Sequence, residues 1–292
     1  MSDVIQQKIR EVISQNTSPS ESDWLTQKGS SDPLELMTAF VASPRNLHKK
    51  IITVTPEQAW ELNAEIAGFS VNDWSLVRLS RVWLLTQLDS SDKETYVKNI
   101  STLFDTAEMN ELVALYSALP LLSYPDEWLF RATDAVRSNM GFVFDAIALH
   151  NPFPARYFSE QAWNQLVLKT IFNDKPIHFI EGLESRRNED LAMILSDFAH
   201  ERWAAGRSVA PQVWRLVSNF MNDIIAGDMQ HLLQSRYVPN QQAAAIASFE
   251  SGYKPAIELI SNYPELQKSV ASGKLTWTDL ETTDLNTYVP QP

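Results

Sequence analysis

The 292-residue chain contains no cysteine, and this absence excludes several kinds of chemistry at once. Disulfides, thiolate catalysis, iron–sulfur clusters and cysteine-type zinc sites all need that side chain. Glycine is also scarce, with eight residues in the whole chain, whereas proteins usually contain about 7%. This scarcity disfavours glycine-rich phosphate loops and tight β-hairpins, and no GxGxxG or P-loop motif occurs.

Long apolar runs are missing as well, since no stretch approaches the roughly 18 apolar residues of a membrane-spanning helix. Residues 1–16 place apolar side chains at helical spacing between charged ones, which predicts an amphipathic helix and not a signal peptide. We therefore expect a cytoplasmic protein. With 36 acidic and 24 basic side chains, the net charge is −12. Such an acidic protein is not expected to bind nucleic acid or anionic membranes in general.

The sequence contains clear signals for the starts of helices. Asp32 and Thr55 each precede a proline at the first helical position, with an acid or amide placed to complete the cap. Asn72, Ser159 and Asn188 are further predicted caps. These signals recur along the chain, so they predict a protein built mainly of helices.

One predicted helix stands out because it is apolar almost all the way around its axis. It covers residues 72–88, and such a helix is buried on several sides. Evidence for strands is limited to residues 51–54 and 176–180, which we interpret as extended connectors. The predicted fold is all-α, an irregular multi-helix array with no significant sheet, and a solenoid-like arrangement remains open. We expect a single helical domain over residues 1–278, with a subdivision near residue 150 left open, and a flexible acidic tail over 279–292.

Tryptophan recurs about one turn inside a helix start, at four places: Trp60, Trp128, Trp163 and Trp214. The spacings of 68, 35 and 51 residues follow no period, which argues against a regular repeat. We interpret these tryptophans as anchors of helix starts on the core. A degenerate helical repeat is the alternative.

The most suggestive polar cluster lies on the predicted helix that begins near Glu189. Asp197, His200 and Glu201 stand at i, i+3 and i+4, so their side chains share one face. We expect this face to be half-buried, because Met193 and Ala204 lie on it too. The core stripe of the same helix is predicted to consist of Leu191, Ile194, Leu195 and Phe198. The cluster could begin a metal site, but we favour an Asp–His hydrogen bond under a neighbouring helix, and we predict neither metal nor cofactor.

Two arginines follow in the same segment. Arg202 projects near the core stripe and should therefore have a carboxylate or carbonyl partner, with Glu184, Glu189 and Glu201 as local candidates. Arg207 comes after Gly206, a predicted helix end where a cation meets the negative end of the helix dipole. We favour both arginines as structural clamps. The alternative is that they face an open cleft with His150 or His200 and receive an acidic or phenolic metabolite.

Sequence similarity gives a further indication between residues 150 and 217. The matching stretches are NPFPA at 151–155, FSEQAWNQLVLK at 158–169, GLE at 182–184 with Arg187 and Asn188, and ERWAAGR at 201–207 leading to WRLV at 214–217. In these residues the chain resembles the EboA family. The resemblance implies a role in metabolite traffic. Such proteins are encoded in a compact gene cluster associated with moving secondary-metabolite precursors out of the cytoplasm, together with prenyltransferase-like, hydrolase-like and barrel-fold proteins. It implies no catalytic residues.

Two functional hypotheses follow. The favoured one is a non-catalytic protein that binds a small aromatic or acidic metabolite, or scaffolds partner proteins encoded in the same gene cluster. The nine tryptophans suit stacking on aromatic ligands. The alternative is an enzyme of unfamiliar type that uses His150, Asp197, His200 and Glu201, and it requires these side chains to converge in one cleft.

Overall fold

The computed structural model describes residues 3–281, and the regular structure in this range is helical. The described residues contain no β-sheet, and their extended pairing is limited to an isolated bridge between Ile51 and Ser75. The predicted all-α fold is confirmed. No helix within 3–281 combines the length and the apolar character needed to cross a bilayer. The chain divides into two compact units, one ending at Trp163 and the other beginning at Asn164.

The first unit consists of ten helices and two short 3₁₀ segments among its described residues. Its α-helices are α1 (Asp3–Asn16), α2 (Pro19–Gly29), α3 (Pro33–Asn46), α4 (Pro56–Glu65), α5 (Leu76–Thr86), α6 (Lys93–Thr106), α7 (Met109–Ala118), α8 (Leu129–Arg137), α9 (Gly141–Ala148) and α10 (Phe153–Tyr157). The 3₁₀ segments are Leu119–Leu121 and Pro125–Trp128. Helix α11 (Glu160–Phe172) contains the boundary between the units.

The second unit follows α11 with shorter and more irregular elements. Its α-helices with both ends described are α12 (Glu189–Ala204), α13 (Asp223–Leu233), α14 (Val238–Ser251), α15 (Lys254–Ser261) and α16 (Pro264–Ala271), and a further short helix starts at Trp277. Three 3₁₀ segments, Ile177–Phe179, Pro211–Leu216 and Ser218–Phe220, lie between them. Helix α14 is alanine-rich and packs against α13, α15 and α16.

Helix α5 is the centre of the first unit. Every one of its residues except Arg78 is buried, and it packs against α1, α3 and α7. The prediction of a central helix within 72–88 is thus confirmed, but the predicted cap at Asn72 is wrong. Asp73 has a left-handed backbone (φ 61°), so the chain turns there, and the Ser75 side chain accepts the capping bond from Arg78 N.

The other predicted caps agree with the structure. Asp32, Thr55 and Asn188 each accept a hydrogen bond from the backbone amide three residues later. At the start of α11, Ser159 Oγ accepts from Ala162 N over 3.3 Å. These side chains accept hydrogen bonds from backbone amides of the first helical turn, which have no acceptor within the helix.

One of the two predicted connectors is extended and the other is not. Residues 51–54 are extended, and Ile52 N donates to Trp74 O over 2.9 Å. The prediction for 176–180 is wrong, because Ile177–Phe179 forms a 3₁₀ turn. Its i+3 hydrogen bonds, such as Ile180 N to Ile177 O, satisfy backbone groups that have no neighbouring strand.

Three of the four recurring tryptophans are anchors as predicted. Trp128, Trp163 and Trp214 are completely buried, whereas Trp60 is 70% exposed. The buried residues of α4 are Gln58 and Leu62, which both lie two positions from Trp60. Two positions correspond to about 200° around a helix, so Trp60 points away from the core.

The predicted tail 279–292 lies mostly outside the described residues. Its first three residues are described, and they continue the short helix that starts at Trp277. Leu280 is buried, and Glu281 accepts a hydrogen bond from Arg215 over 2.8 Å. These three residues are therefore part of the folded second unit.

Candidate functional site

Helix α12 carries four of the six predicted site residues, and its buried face agrees only in part with the predicted one. The buried residues are Leu191, Ala192, Leu195, Ser196 and Ala199, whereas the predicted core residue Ile194 is 41% exposed. The actual face contains three small side chains, Ala192, Ser196 and Ala199, and α12 contacts α13 and the 3₁₀ segment Pro211–Leu216. Leu191 and Leu195 are buried as predicted, and Ala192, Ser196 and Ala199 replace Ile194 and Phe198 in the buried face.

His200 forms the predicted Asp–His hydrogen bond, but with a different aspartate. Its Nε2 lies 2.5 Å from Oδ1 of Asp228, which comes from α13. The second oxygen of Asp228 accepts from Ser196 Oγ, also over 2.5 Å. Asp197 is exposed on α12, so the expectation of a half-buried face with Asp197, His200 and Glu201 is wrong.

Asp228 is only 2% exposed, which makes it the most buried acid described near α12. Burial raises the pKa of its carboxyl, and the hydrogen bonds from Ser196 and His200 act in the opposite direction. The His200 ring is about half exposed. The pair therefore links a buried carboxylate to an imidazole that reaches solvent.

Aromatic rings extend this contact between α12 and α13. Trp203 stacks on His231, with ring centres 4.1 Å apart and an interplanar angle of 29°. Trp203 also lies nearly parallel to the buried Trp214, with ring centres 5.8 Å apart. The three rings pack this end of α12 onto α13 and the 3₁₀ segment that contains Trp214.

A cavity of about 370 Å³ lies at the C-terminal ends of α11 and α12. Its apolar wall comes from Ile171, Phe172, Phe198 and Val209, and its charged groups are Asp174, Glu201, Arg202 and Arg207. Ala205, Ser208 and Ala210 complete the lining. Three of the six predicted site residues, Glu201, Arg202 and Arg207, thus lie around one cavity.

The two arginines of the cavity have different surroundings. Arg202 Nε donates to the Ser208 carbonyl over 3.0 Å, and its guanidinium lies 5.9 Å from the centre of the Phe198 ring. A carbonyl partner was among the predicted options, but the candidate carboxylates were wrong: Glu184, for example, is bound by Arg187 and Arg215. Because Arg202 is only partly buried, it needs no carboxylate to compensate its charge.

Arg207 extends from the loop that ends α12. Gly206 has φ 69°, a left-handed conformation that glycine adopts without strain, and it ends the helix as predicted. Arg207 N donates to Arg202 O over 2.8 Å, which fixes the loop. Its guanidinium is exposed at the cavity and has no partner among the described residues.

The remaining predicted site residues lie elsewhere. His150 is an exposed residue of the first unit with a left-handed backbone (φ 53°), at the turn after α9. His200 pairs with Asp228 and does not line the cavity, and neither does Asp197. Within residues 3–281, no group of three or more acidic or histidine side chains is arranged to hold a metal ion.

Sequence reasoning missed Asp228 and did not predict the stacking of His231 on Trp203. The sequence does contain a signal for Asp228, because this acid is the single charged residue within IIAGDMQHLL, a largely apolar segment of α13. A buried acid needs a partner, and Ser196 and His200 stand one turn apart on α12 to supply it.

The fold and the cavity define an all-helical protein with a ligand-sized opening between the ends of two helices. A family model described as metabolite traffic protein EboA matches residues 5–218, that is, 214 of the 292 residues. The chain belongs to the EboA family. All residues that line the cavity lie within the matched range, and Asp228 lies beyond it. No curated protein and no solved structure matches the chain.

Proposed function

We propose that the protein is a non-catalytic cytoplasmic carrier that binds a secondary-metabolite precursor in the α11–α12 cavity and assists its export. The family description supports the process, metabolite traffic. The observation that carries the binding step is the unpartnered guanidinium of Arg207 beside an apolar wall. An exposed guanidinium at a cavity is suited to an anionic group of a ligand.

The size and lining of the cavity support a small ring-bearing metabolite. A volume of about 370 Å³ lies at the lower end of the range of small-molecule sites, about 300–1,000 Å³. Phe172 and Phe198 lie 4.9 Å apart, and Phe172 is 55% exposed, so an aromatic surface is open to a ligand. An acidic or phenolic compound of one or two rings fits this combination.

A second way in which the protein could assist export is to scaffold partner proteins encoded in the same gene cluster. Exposed large apolar side chains in the first unit support it, notably Trp60 and Phe130, which are 70% and 79% exposed. Aromatic residues of this kind are frequent at protein interfaces. If scaffolding is the main role, a Trp60→Ala or Phe130→Ala protein should lose captured partners while still retaining the metabolite.

The alternative function, an enzyme of unfamiliar type, required His150, Asp197, His200 and Glu201 to converge in one cleft, and of these only Glu201 lines the cavity. The form of this hypothesis that remains depends on His200. A buried acid that orients an imidazole is an arrangement used for proton transfer, and Asp228 and His200 have it. His200 lies outside the cavity lining, however, so the carrier proposal assigns it no contact with the metabolite. A His200→Gln protein should export the metabolite normally if it keeps its stability, whereas the enzyme hypothesis requires that export stops.

The test compares Arg207→Gln with a matched control, Arg236→Gln, in the native host. Both arginines are exposed and without a partner in the described part of the chain, but only Arg207 lines the cavity. We expect metabolite export to fail with Arg207→Gln and to persist with Arg236→Gln, at equal unfolding stability. A loss of unfolding stability above about 2 kcal/mol in Arg207→Gln would instead identify Arg207 as a structural clamp.

A further inference from the structure

The cavity holds unsatisfied charges of both signs. Glu201 and Asp174 line it, both are exposed, and neither side chain has a hydrogen bond or an ion pair among the described residues. Glu184, an acid of the same unit outside the cavity, is by contrast held by two arginines. Arg202 also lines the cavity, but its Nε donates to the Ser208 carbonyl and it forms no ion pair with Glu201, which points in another direction around the helix. Two carboxylates and the Arg207 guanidinium therefore remain available to a ligand.

The backbone adds negative potential on the same side. Helices α11 and α12, with 13 and 16 residues, both end at the cavity, where Ile171, Phe172 and Ala205 line it. The C-terminal end of a helix carries a partial negative charge that favours a cation. This contribution comes from the helices and is independent of the two carboxylates.

A ligand of a single charge sign would fit this lining poorly. A simple anion would meet Arg207 and Arg202 but also be repelled by Glu201, Asp174 and the helix ends, and a simple cation would be repelled by the two arginines. The Phe172 and Phe198 rings favour an apolar body and also attract a nearby ammonium group. We propose that the cavity takes an amphoteric ligand, a ring-bearing molecule whose anionic group binds Arg207 and whose ammonium group binds Glu201 and Asp174. This inference rests on the proposed function and adds the second charge of the ligand.

Three small probes separate the contributions of the two charges, namely L-phenylalanine, 3-phenylpropanoate and 2-phenylethylamine. They share the ring and differ in whether they carry both charged groups, the carboxylate alone or the ammonium alone. Binding to the full chain is measured by ligand-observed NMR titration at millimolar probe. We expect L-phenylalanine to bind at least about tenfold more tightly than either single-charge probe.

Variants then assign each charge to its residue. In Glu201→Gln and Asp174→Asn, L-phenylalanine should bind more weakly, approaching 3-phenylpropanoate, while the affinity for 3-phenylpropanoate is unchanged or improved. In Arg207→Gln, L-phenylalanine should no longer bind more tightly than 2-phenylethylamine, which lacks the carboxylate. Glu189→Gln, an exposed acid at the other end of α12, is the control and should bind all three probes like the unmodified chain.

The outcomes distinguish the two proposals. The proposal of an amphoteric ligand is wrong if L-phenylalanine binds no more tightly than 3-phenylpropanoate. It is also wrong if Glu201→Gln and Asp174→Asn leave the difference in affinity between these two probes unchanged. The carrier role would then still stand on the binding of 3-phenylpropanoate and its loss in Arg207→Gln. If none of the three probes binds, both the amphoteric ligand and binding in this cavity are contradicted.

Discussion

Nε2 of His200 on α12 lies 2.5 Å from Oδ1 of Asp228 on α13, and Asp228 is almost completely buried. His200 lies between Phe198 and Glu201, two of the residues of α12 that line the cavity. The cavity wall is therefore held in place by a polar contact outside the cavity itself. Stability and ligand binding can be tested separately for this reason.

Removing the buried acid should destabilise the second unit. Asp228→Ala leaves the Ser196 hydroxyl and the His200 ring without their shared acceptor, and we expect a loss of about 2–3 kcal/mol in the free energy of unfolding. Denaturant unfolding measures this loss. Asp197, an exposed acid next to Ser196 on α12, is the control. Asp197→Ala should change the free energy of unfolding by less than about 0.5 kcal/mol. Equal effects of the two substitutions would contradict the role given to Asp228.

Two glycines within helices should respond in opposite directions to alanine. A Cβ at Gly29 would lie 2.3 Å from the Trp83 ring, so we expect Gly29→Ala to cost about 1–3 kcal/mol. At Gly227 in α13 a Cβ meets nothing within 4 Å, and Gly227→Ala should stabilise by about 0.5–1 kcal/mol through helix propensity. Thermal unfolding of the two variants measures both effects. A second substitution, Trp83→Phe, should reduce the cost at Gly29, and a cost that is unchanged would argue against this close contact.

Arg81 is a buried cation of the first unit whose removal should be costly. Its Nε donates to Phe40 O over 2.9 Å, and Nη2 lies 3.0 Å from Glu111 Oε1. Arg81→Met would leave the Glu111 carboxylate buried without its cation, which typically costs about 3–5 kcal/mol. Urea unfolding should show that Arg81→Met with Glu111→Gln costs less than the sum of the single changes. The exposed Arg137→Met is the control, and additive effects of the buried pair would show that the two side chains do not interact.

Glu21 should make stability depend on acid pH. Burial alone would raise the pKa of its carboxyl, but hydrogen bonds from the backbone amides of Ser18 and His48 and from their side chains lower it from 4.5 to about 2. A depressed folded-state pKa means that ionised Glu21 stabilises the fold above pH 4.5, and that this contribution is lost as the pH falls towards 2.

The variant Glu21→Gln isolates this effect. We expect the stability difference between the unmodified chain and Glu21→Gln to be largest above pH 4.5 and to shrink steadily towards pH 2. Asp23→Asn changes an exposed acid of the same helix and should give a difference with little pH dependence. A difference for Glu21→Gln that stays constant across this pH range would contradict the depressed pKa.

Local signals in the sequence predict the helices well, but they do not predict which helices meet. Caps such as Asp32 and Thr55 depend on residues three positions apart, so they can be read without tertiary information. At Asn72 the prediction failed because a left-handed turn at Asp73 moved the helix start to Ser75. That turn is coupled to pairing with the distant Ile51.

The candidate site shows the same limit. The pattern on α12 correctly indicated that His200 pairs with an aspartate, but the partner is 28 residues away on α13 and not three residues away on the same helix. Glu201, Arg202 and Arg207 could be grouped because they are close in sequence. Ile171, Phe172 and Asp174 at the end of α11 could not, since only the packing of α11 against α12 places them at the same cavity.

The most direct measurement of the carrier role is the small-molecule content of the protein itself. Tagged unmodified chain, Arg207→Gln and Arg236→Gln are purified from the native host, and the bound compounds are extracted and identified by mass spectrometry. We predict that one metabolite with both an aromatic ring and an acidic or phenolic group accompanies the unmodified chain and Arg236→Gln and is lost from Arg207→Gln, at equal unfolding stability. Equal amounts on all three proteins, or no metabolite on any, would contradict binding in the α11–α12 cavity.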